Sequence, residues 1–196
     1  MMGGLWATWI DRPLTEPEEA RLLDLLPPER RRRLLRLPRR TQRREPLCAY
    51  RLLALALERA CGWSALPPMA YTSLGKPYFP DFPQVSFSIS HTEGAVLVGL
   101  SGQPIGVDIE RLRPMAPELL KRFGADTPET FFQSWVRREA RAKRTGTPVE
   151  LGRESGLAHG EQLWYPEAVP GCAACAAFTE PLRRQVELVP AKTLLT

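Results

Sequence analysis

The sequence predicts an α+β protein built from two similar halves that meet near residue 104. Three observations carry this prediction. The order of elements is strand, helices, strand pair, then strand, helix, strand pair. The strands come as antiparallel neighbours joined by short turns, not as the βαβ alternation of a nucleotide-binding doubly wound sheet. No GxGxxG or P-loop pattern interrupts that order. At 196 residues the chain is long enough for one large domain or two small ones with a proper core.

Taken in order, Leu5–Ile10 reads as a first strand, left through the turn Asp11-Arg12-Pro13-Leu14. Thr15-Glu16-Pro17-Glu18 is a capping box with proline near the first helical position, and it starts a helix running to about Leu26. Pro27-Pro28 breaks that helix, and an arginine-rich helix follows to about Pro38. Leu47–Cys61 is apolar nearly all round and reads as a core helix stopped by Gly62. Gly75-Lys76-Pro77 begins a loop ending in a hairpin, in which Val85, Phe87 and Ile89 alternate with Ser86, Ser88 and Ser90 and Ala95–Leu100 returns. Ser101-Gly102-Gln103-Pro104 turns into a strand at 105–110. Thr127-Pro128 opens a helix that Gly146 stops. A polar, glycine-rich stretch leads to strands at Gln162–Tyr165 and Cys172–Phe178, joined through Pro170-Gly171. The tail carries a further strand at Gln185–Val189.

Composition sets bounds. The hydrophobic fraction of 43% and charged fraction of 25% are those of a soluble globular chain. No apolar run reaches spanning length, and Met1–Ile10 lacks the basic start and apolar core of a signal peptide, so a cytoplasmic location without membrane attachment is expected. Cys48, Cys61, Cys172 and Cys175 are too scattered for a disulfide framework, and they read as small apolar side chains rather than zinc ligands. The net charge of +5 is concentrated in the arginine run of residues 29–44. Such a run fits nucleic acid, an anionic cofactor, an acidic protein or a plain solvated helix face. It has no interleaved aromatics and no reader motif, which argues against nucleic acid.

Two short segments carry the chemistry. In Ile-Gly-Val-Asp-Ile-Glu, residues 105–110, period two places Ile105, Val107 and Ile109 on one face and Asp108 and Glu110 together on the other. Adjacent carboxylates repel unless a cation joins them, and oxygen ligands of this kind suit Mg²⁺. On the later helix, Phe131, Phe132, Trp135, Val136 and Ala142 form one apolar stripe. Glu139, 29 residues beyond Glu110, falls inside that stripe, with Lys143 one turn further on the same face. Read singly, the pair on the strand also fits a solvated edge, and Glu139 with Lys143 also fits an ordinary i,i+4 ion pair.

These segments, in this order, resemble the 4′-phosphopantetheinyl transferases of the longer, surfactin-synthetase-activating (Sfp-like) type. The resemblance rests on Asp11-Arg12-Pro13-Leu14, Gly75-Lys76-Pro77, Phe87-Ser88-Ile89-Ser90-His91, Pro104 to Glu110, Trp135 to Lys143 with Gly146, and Tyr165 to Ala177. It covers nearly the whole chain. It implies two halves, 1–104 and 105–196, with pseudo-twofold symmetry, the first contacting nucleotide and the second carrying the metal and catalytic helix. It also implies a monomer that moves the phosphopantetheine arm of coenzyme A to a serine of an apo acyl or peptidyl carrier protein, with adenosine 3′,5′-bisphosphate as by-product. By that resemblance Asp108, Glu110 and Glu139 hold Mg²⁺, Glu139 is the base, and Lys143 assists the departing bisphosphate. Lys76, Pro77, Ser90 and His91 line the nucleotide site, and Arg30, Arg33 and Arg44 supply further phosphate contacts. The chain departs from the family at Glu45-Pro46, where a basic residue followed by Ser or Thr is usual, and in shortened segments at 111–134 and 147–161.

Overall fold

The computed structural model describes residues 3–150 and 155–196, so part of the shortened segment after Gly146, at 151–154, lies outside the described residues. Strand β1 (Gly3–Trp9) leads to α1 (Glu16–Asp24), where the Thr15 hydroxyl caps the Glu18 N–H and the Glu18 carboxylate accepts from the Thr15 N–H at 2.8 Å. After α2 (Pro28–Leu35), a single 3₁₀ turn at Arg40–Arg43, not anticipated from the pattern, enters α3 (Arg44–Cys61). Helix α3 begins at Arg44 rather than Leu47 and ends on Gly62, whose φ of 71° is the left-handed conformation glycine tolerates.

A small hairpin of β2 (Ala70–Tyr71) and β3 (Pro77–Tyr78) precedes β4 (Ser86–Thr92), β5 (Ala95–Ser101) and β6 (Gly106–Arg111). A short helix α4 (Pro117–Arg122), which no sequence pattern predicts, comes before α5 (Pro128–Thr145). Then follow β7 (Gln162–Trp164), β8 (Cys172–Phe178), β9 (Leu182–Leu188) and α6 (Ala191–Leu195). The molecule is a mixed α+β fold with two main sheets, ordered β4-β5-β1-β9 and β6-β8-β7.

Strand alternation sets the layering. On one face of the first sheet, Phe87, Val96, Val98 and Leu100 pack under α1, α3 and α6 through Leu22, Leu52, Leu53 and Leu194. Its other face, with Leu5, Ala7, Ala95 and Leu97, meets Ile105, Val107, Ile109, Ala174, Ala176 and Phe178 of the second sheet. The outer face of the second sheet takes α5, through Val136 and Ala140 against Cys175 and Ala177. The predicted division at residue 104 falls in the turn between the two sheets. Strand β9 nevertheless returns to pair in parallel with β1, and Leu194 and Leu195 join the first core.

The two sheets are joined along the edges of β4 and β6. The N–H groups of Ile105, Val107, Ile109 and Arg111 donate to the hydroxyls of Ser86, Ser88, Ser90 and Thr92 at 3.3, 3.0, 3.3 and 3.2 Å. Edge N–H groups need partners when buried, and here side chains at period two supply them. Among the described residues, no helix is long and apolar enough to cross a membrane.

Candidate functional site

Strand β6 presents Asp108 and Glu110 on the face that meets α5. Gly106 lies on the same face and lets the helix come close. A Cβ there would stand 1.9 Å from the Ala140 carbonyl oxygen and 2.3 Å from the Arg144 nitrogen. Helix α5 is fixed at both ends, by a Thr127–Thr130 capping box and by Gly146 at φ 74°. Lys143 therefore reaches the strand. Its Nζ donates to Asp108 Oδ1 at 2.6 Å and to Ser90 Oγ at 3.0 Å, while Ser90 Oγ donates to the same carboxylate oxygen at 2.7 Å. Asp108 is buried, and its Oδ2 has no hydrogen-bond partner. The pair is thus not a solvated edge, and Lys143 is not spent on Glu139 as an i,i+4 partner.

Among the described residues Glu110 receives only long contacts, from Thr92 Oγ1 and Arg113, each at 3.5 Å. Among the described residues no hydrogen bond or ion pair engages the Glu139 carboxylate. Burial is the first cause lifting the pKa of both glutamates. The Asp108 charge lifts Glu110 further. At Glu139, Lys143 pulls back while Asp108 and Glu110 push upward. Among the described residues no three ligating side chains converge as a finished metal cluster. The donor set still suits a hard divalent cation: carboxylates near enough to raise one another's pKa, excess negative charge and an orphaned buried oxygen.

Beside this group opens a cavity of about 550 Å³, whose wall carries Arg30, Arg33, Lys76, Pro77 and His91 along with Glu139 and Lys143. Lys76 follows the hairpin turn, where Thr72 N–H donates to the Lys76 carbonyl at 2.9 Å and Gly75 adopts φ 85°. Its Nζ donates to the Arg144 carbonyl at 2.5 Å, near the C-terminal end of α5. Burial, then the Arg144 charge, pushes its pKa down to about 8. His91 is solvent-accessible but recessed, and that crowding lowers its pKa first, with Lys143 adding to the effect.

Two expected contacts stand elsewhere. Ser90 does not line the cavity; it is buried and spends its hydroxyl on Asp108, Lys143 and the Ile109 N–H. Arg44 points away and binds Glu45 at 2.5 Å and the Arg12 carbonyl at 3.3 Å. Glu45 in turn accepts the Gly94 N–H at 3.1 Å, so the unusual carboxylate ties α3 to the β4–β5 turn and is neutralised by its own neighbour. Other arginines of the run are engaged in the same way. Arg40 and Arg43 bind Glu19 of α1, and Arg31 binds Asp24 at 2.7 Å. Sequence reasoning missed the hydroxyl ladder, the Tyr50 and Tyr71 rings beside Arg30, and Glu161, a buried acid held by Arg141 and Arg144 at 3.0 and 3.1 Å. The alternating serines were the one visible sign of the ladder.

Fold and site together define an α+β protein with a basic cavity beside a buried carboxylate–lysine group. No family model matches the chain. Curated relatives do. It is 27% identical over 165 residues to 4′-phosphopantetheinyl transferase Sfp of Bacillus subtilis (strain 168), covering 77% of this chain and 74% of the relative. It is 24% identical over the same shares to 4′-phosphopantetheinyl transferase ffp of Bacillus subtilis. Against 4′-phosphopantetheinyl transferase psf-1 of Bacillus pumilus it is 30% identical over 94 residues, 41% of this chain and 40% of that one. In sequence the chain is thus similar to Sfp-like 4′-phosphopantetheinyl transferases over about three quarters of its length.

Proposed function

We propose that the protein transfers the 4′-phosphopantetheine arm of coenzyme A to a serine hydroxyl of an apo acyl or peptidyl carrier protein, releasing adenosine 3′,5′-bisphosphate. The curated relatives are named for phosphopantetheinyl transfer. Within this chain, the observation that carries the reading is Asp108. One of its buried oxygens is committed to Lys143 and Ser90, and the other is unpartnered beside two more carboxylates. Such a group sits at high energy unless positive charge completes it.

The serine oxygen attacks the phosphorus that bears the pantetheine arm. The bond from that phosphorus to the anhydride oxygen breaks, and its electron pair leaves with the bisphosphate. Glu139, its pKa lifted by burial, accepts the serine proton. Lys143, oriented by Asp108 and Ser90, meets the charge growing on the leaving phosphate. Arg30, Arg33, Lys76 and His91 receive the remaining phosphate and the nucleotide, with Pro77 beside them. Asp108, Glu110 and Glu139 are the residues that would hold Mg²⁺, whose contribution when bound is neutralisation of the pyrophosphate oxygens. We read residues 1–104 and 105–196 as pseudo-twofold halves of a monomeric, cytoplasmic enzyme whose partners are coenzyme A and the carrier, not nucleic acid or membrane.

The test is release of adenosine 3′,5′-bisphosphate from coenzyme A and Mg²⁺, with and without an apo carrier protein. Release that requires the carrier supports the transferase. Release without it identifies a hydrolase instead. No release with either fatty-acid or peptidyl carriers removes the enzymatic reading.

A further inference from the structure

We infer that Tyr71 and Tyr50 are positioning residues that clamp the Arg30 guanidinium and hold it at the cavity wall as receptor for a phosphate group of the nucleotide. The inference rests on the transferase reading above. The Arg30 Cζ lies 4.1 Å from the centroid of the Tyr71 ring and 5.6 Å from that of Tyr50. These are distances at which a cation is attracted to an aromatic face.

Arg30 differs from several arginines of the run in the company it lacks. Arg31, Arg40, Arg43 and Arg44 each bind a carboxylate. Among the described residues none pairs with Arg30, although it is half-buried and its Nε is buried without a hydrogen-bond partner. Burial lowers its pKa, yet a guanidinium stays charged at any ordinary pH. A desolvated, unpaired cation is costly, and an anion entering the cavity would complete it. Aromatic faces suit this task better than a carboxylate. They hold the guanidinium flat without occupying its N–H donors, which stay available for phosphate oxygens.

The Tyr71 hydroxyl is itself buried without a partner, so the ring and not the hydroxyl is what the position uses. Tyr71 stands on β2, across the hairpin turn from Lys76, where it pairs with Pro77. One hairpin therefore delivers the Lys76 ammonium to the cavity and the aromatic that orients Arg30.

The test is titration calorimetry with adenosine 3′,5′-bisphosphate, alongside steady-state kinetics in coenzyme A, on Tyr71→Phe, Tyr71→Leu, Arg30→Ala and the Arg30→Ala/Tyr71→Leu double variant. Tyr71→Phe should bind as wild type does. Tyr71→Leu should weaken binding about tenfold and raise KM for coenzyme A with kcat retained. In the Arg30→Ala background, Tyr71→Leu should add nothing, because the clamp acts only through Arg30. Equal binding by wild type and Tyr71→Leu, or an equal loss with and without Arg30, overturns the clamp and leaves the transferase reading standing. Should Tyr71→Leu fail to fold, Arg30→Ala alone decides: wild-type affinity in that variant overturns the proposal. Wild-type protein that binds neither bisphosphate nor coenzyme A overturns both readings.

Discussion

Asp108 commits one oxygen to Lys143 and Ser90 and leaves its other oxygen without a partner, while Lys143 makes no ion pair with the glutamate one turn before it on the same helix. Removing the lysine strands a buried carboxylate. Lys143→Met should therefore destabilise the fold by about 2 kcal/mol, less than for a fully buried pair because the lysine is 31% exposed. The midpoint of urea unfolding reports it, and an unchanged midpoint would mean the pair carries no structural weight. Lys76 gives the pH dependence. Its folded pKa of about 8 lies below the ordinary lysine value, so between about pH 8 and the ordinary lysine range the unfolded chain binds more protons. Stability due to this group thus rises with pH across that window. Phosphate binding favours the protonated form, so affinity for adenosine 3′,5′-bisphosphate should fall as pH rises above about 8. Lys76→Met should flatten both dependences. At this scale the sequence showed that Asp108 and Glu110 share one strand face and Glu139 and Lys143 one helix face, since charges at period two and at one helical turn are countable. It could not show that Lys143 chooses Asp108, because that partnership exists only once helix and strand pack.

Helix α5 and strand β6 form the site because one position between them has no side chain. Gly106→Ala would place a methyl group 1.9 Å from the Ala140 carbonyl and force the helix off the strand. Overpacking of this kind should cost on the order of 3 kcal/mol and separate Glu139 and Lys143 from Asp108. Thermal unfolding together with loss of carrier modification checks it. The β4 hydroxyls are the second device. Ser88→Ala removes the acceptor of the Val107 N–H and leaves a buried donor unsatisfied, at a cost of roughly 1–3 kcal/mol. Faster hydrogen exchange at Val107 would report it. The elements themselves were largely legible. The capping box at Thr15, the N-cap at Thr127 and the glycines at 62 and 146 mark real helix ends, and the alternating strands are where period two puts them. The 3₁₀ turn at Arg40–Arg43 and helix α4 were not, since both are too short to build a period. The hydroxyl ladder was half legible: alternating serines read as the polar face of a strand, but not as acceptors for another sheet.

Across the whole molecule, two sheets pack face to face with helices outside both, and the cavity lies where α2, α3, the small hairpin and α5 approach one another. The net charge of +5 is not spread evenly over function. Arg40, Arg43 and Arg44 are consumed by acids of α1 and α3, whereas Arg30 and Arg33 face the cavity. The arginine run thus contains side chains tied up in ion pairs and others that face the cavity, a division that composition alone does not contain. In the proposed reaction the carboxylate group of β6 and α5 serves the modification of a carrier protein. Intact-mass spectrometry of an apo carrier protein incubated with coenzyme A, Mg²⁺ and either wild type or Glu139→Gln tests it most directly. The carrier should gain one phosphopantetheine with wild type, and EDTA or the substitution should abolish that gain. An unmodified carrier with wild-type protein, or full modification by Glu139→Gln, would contradict it.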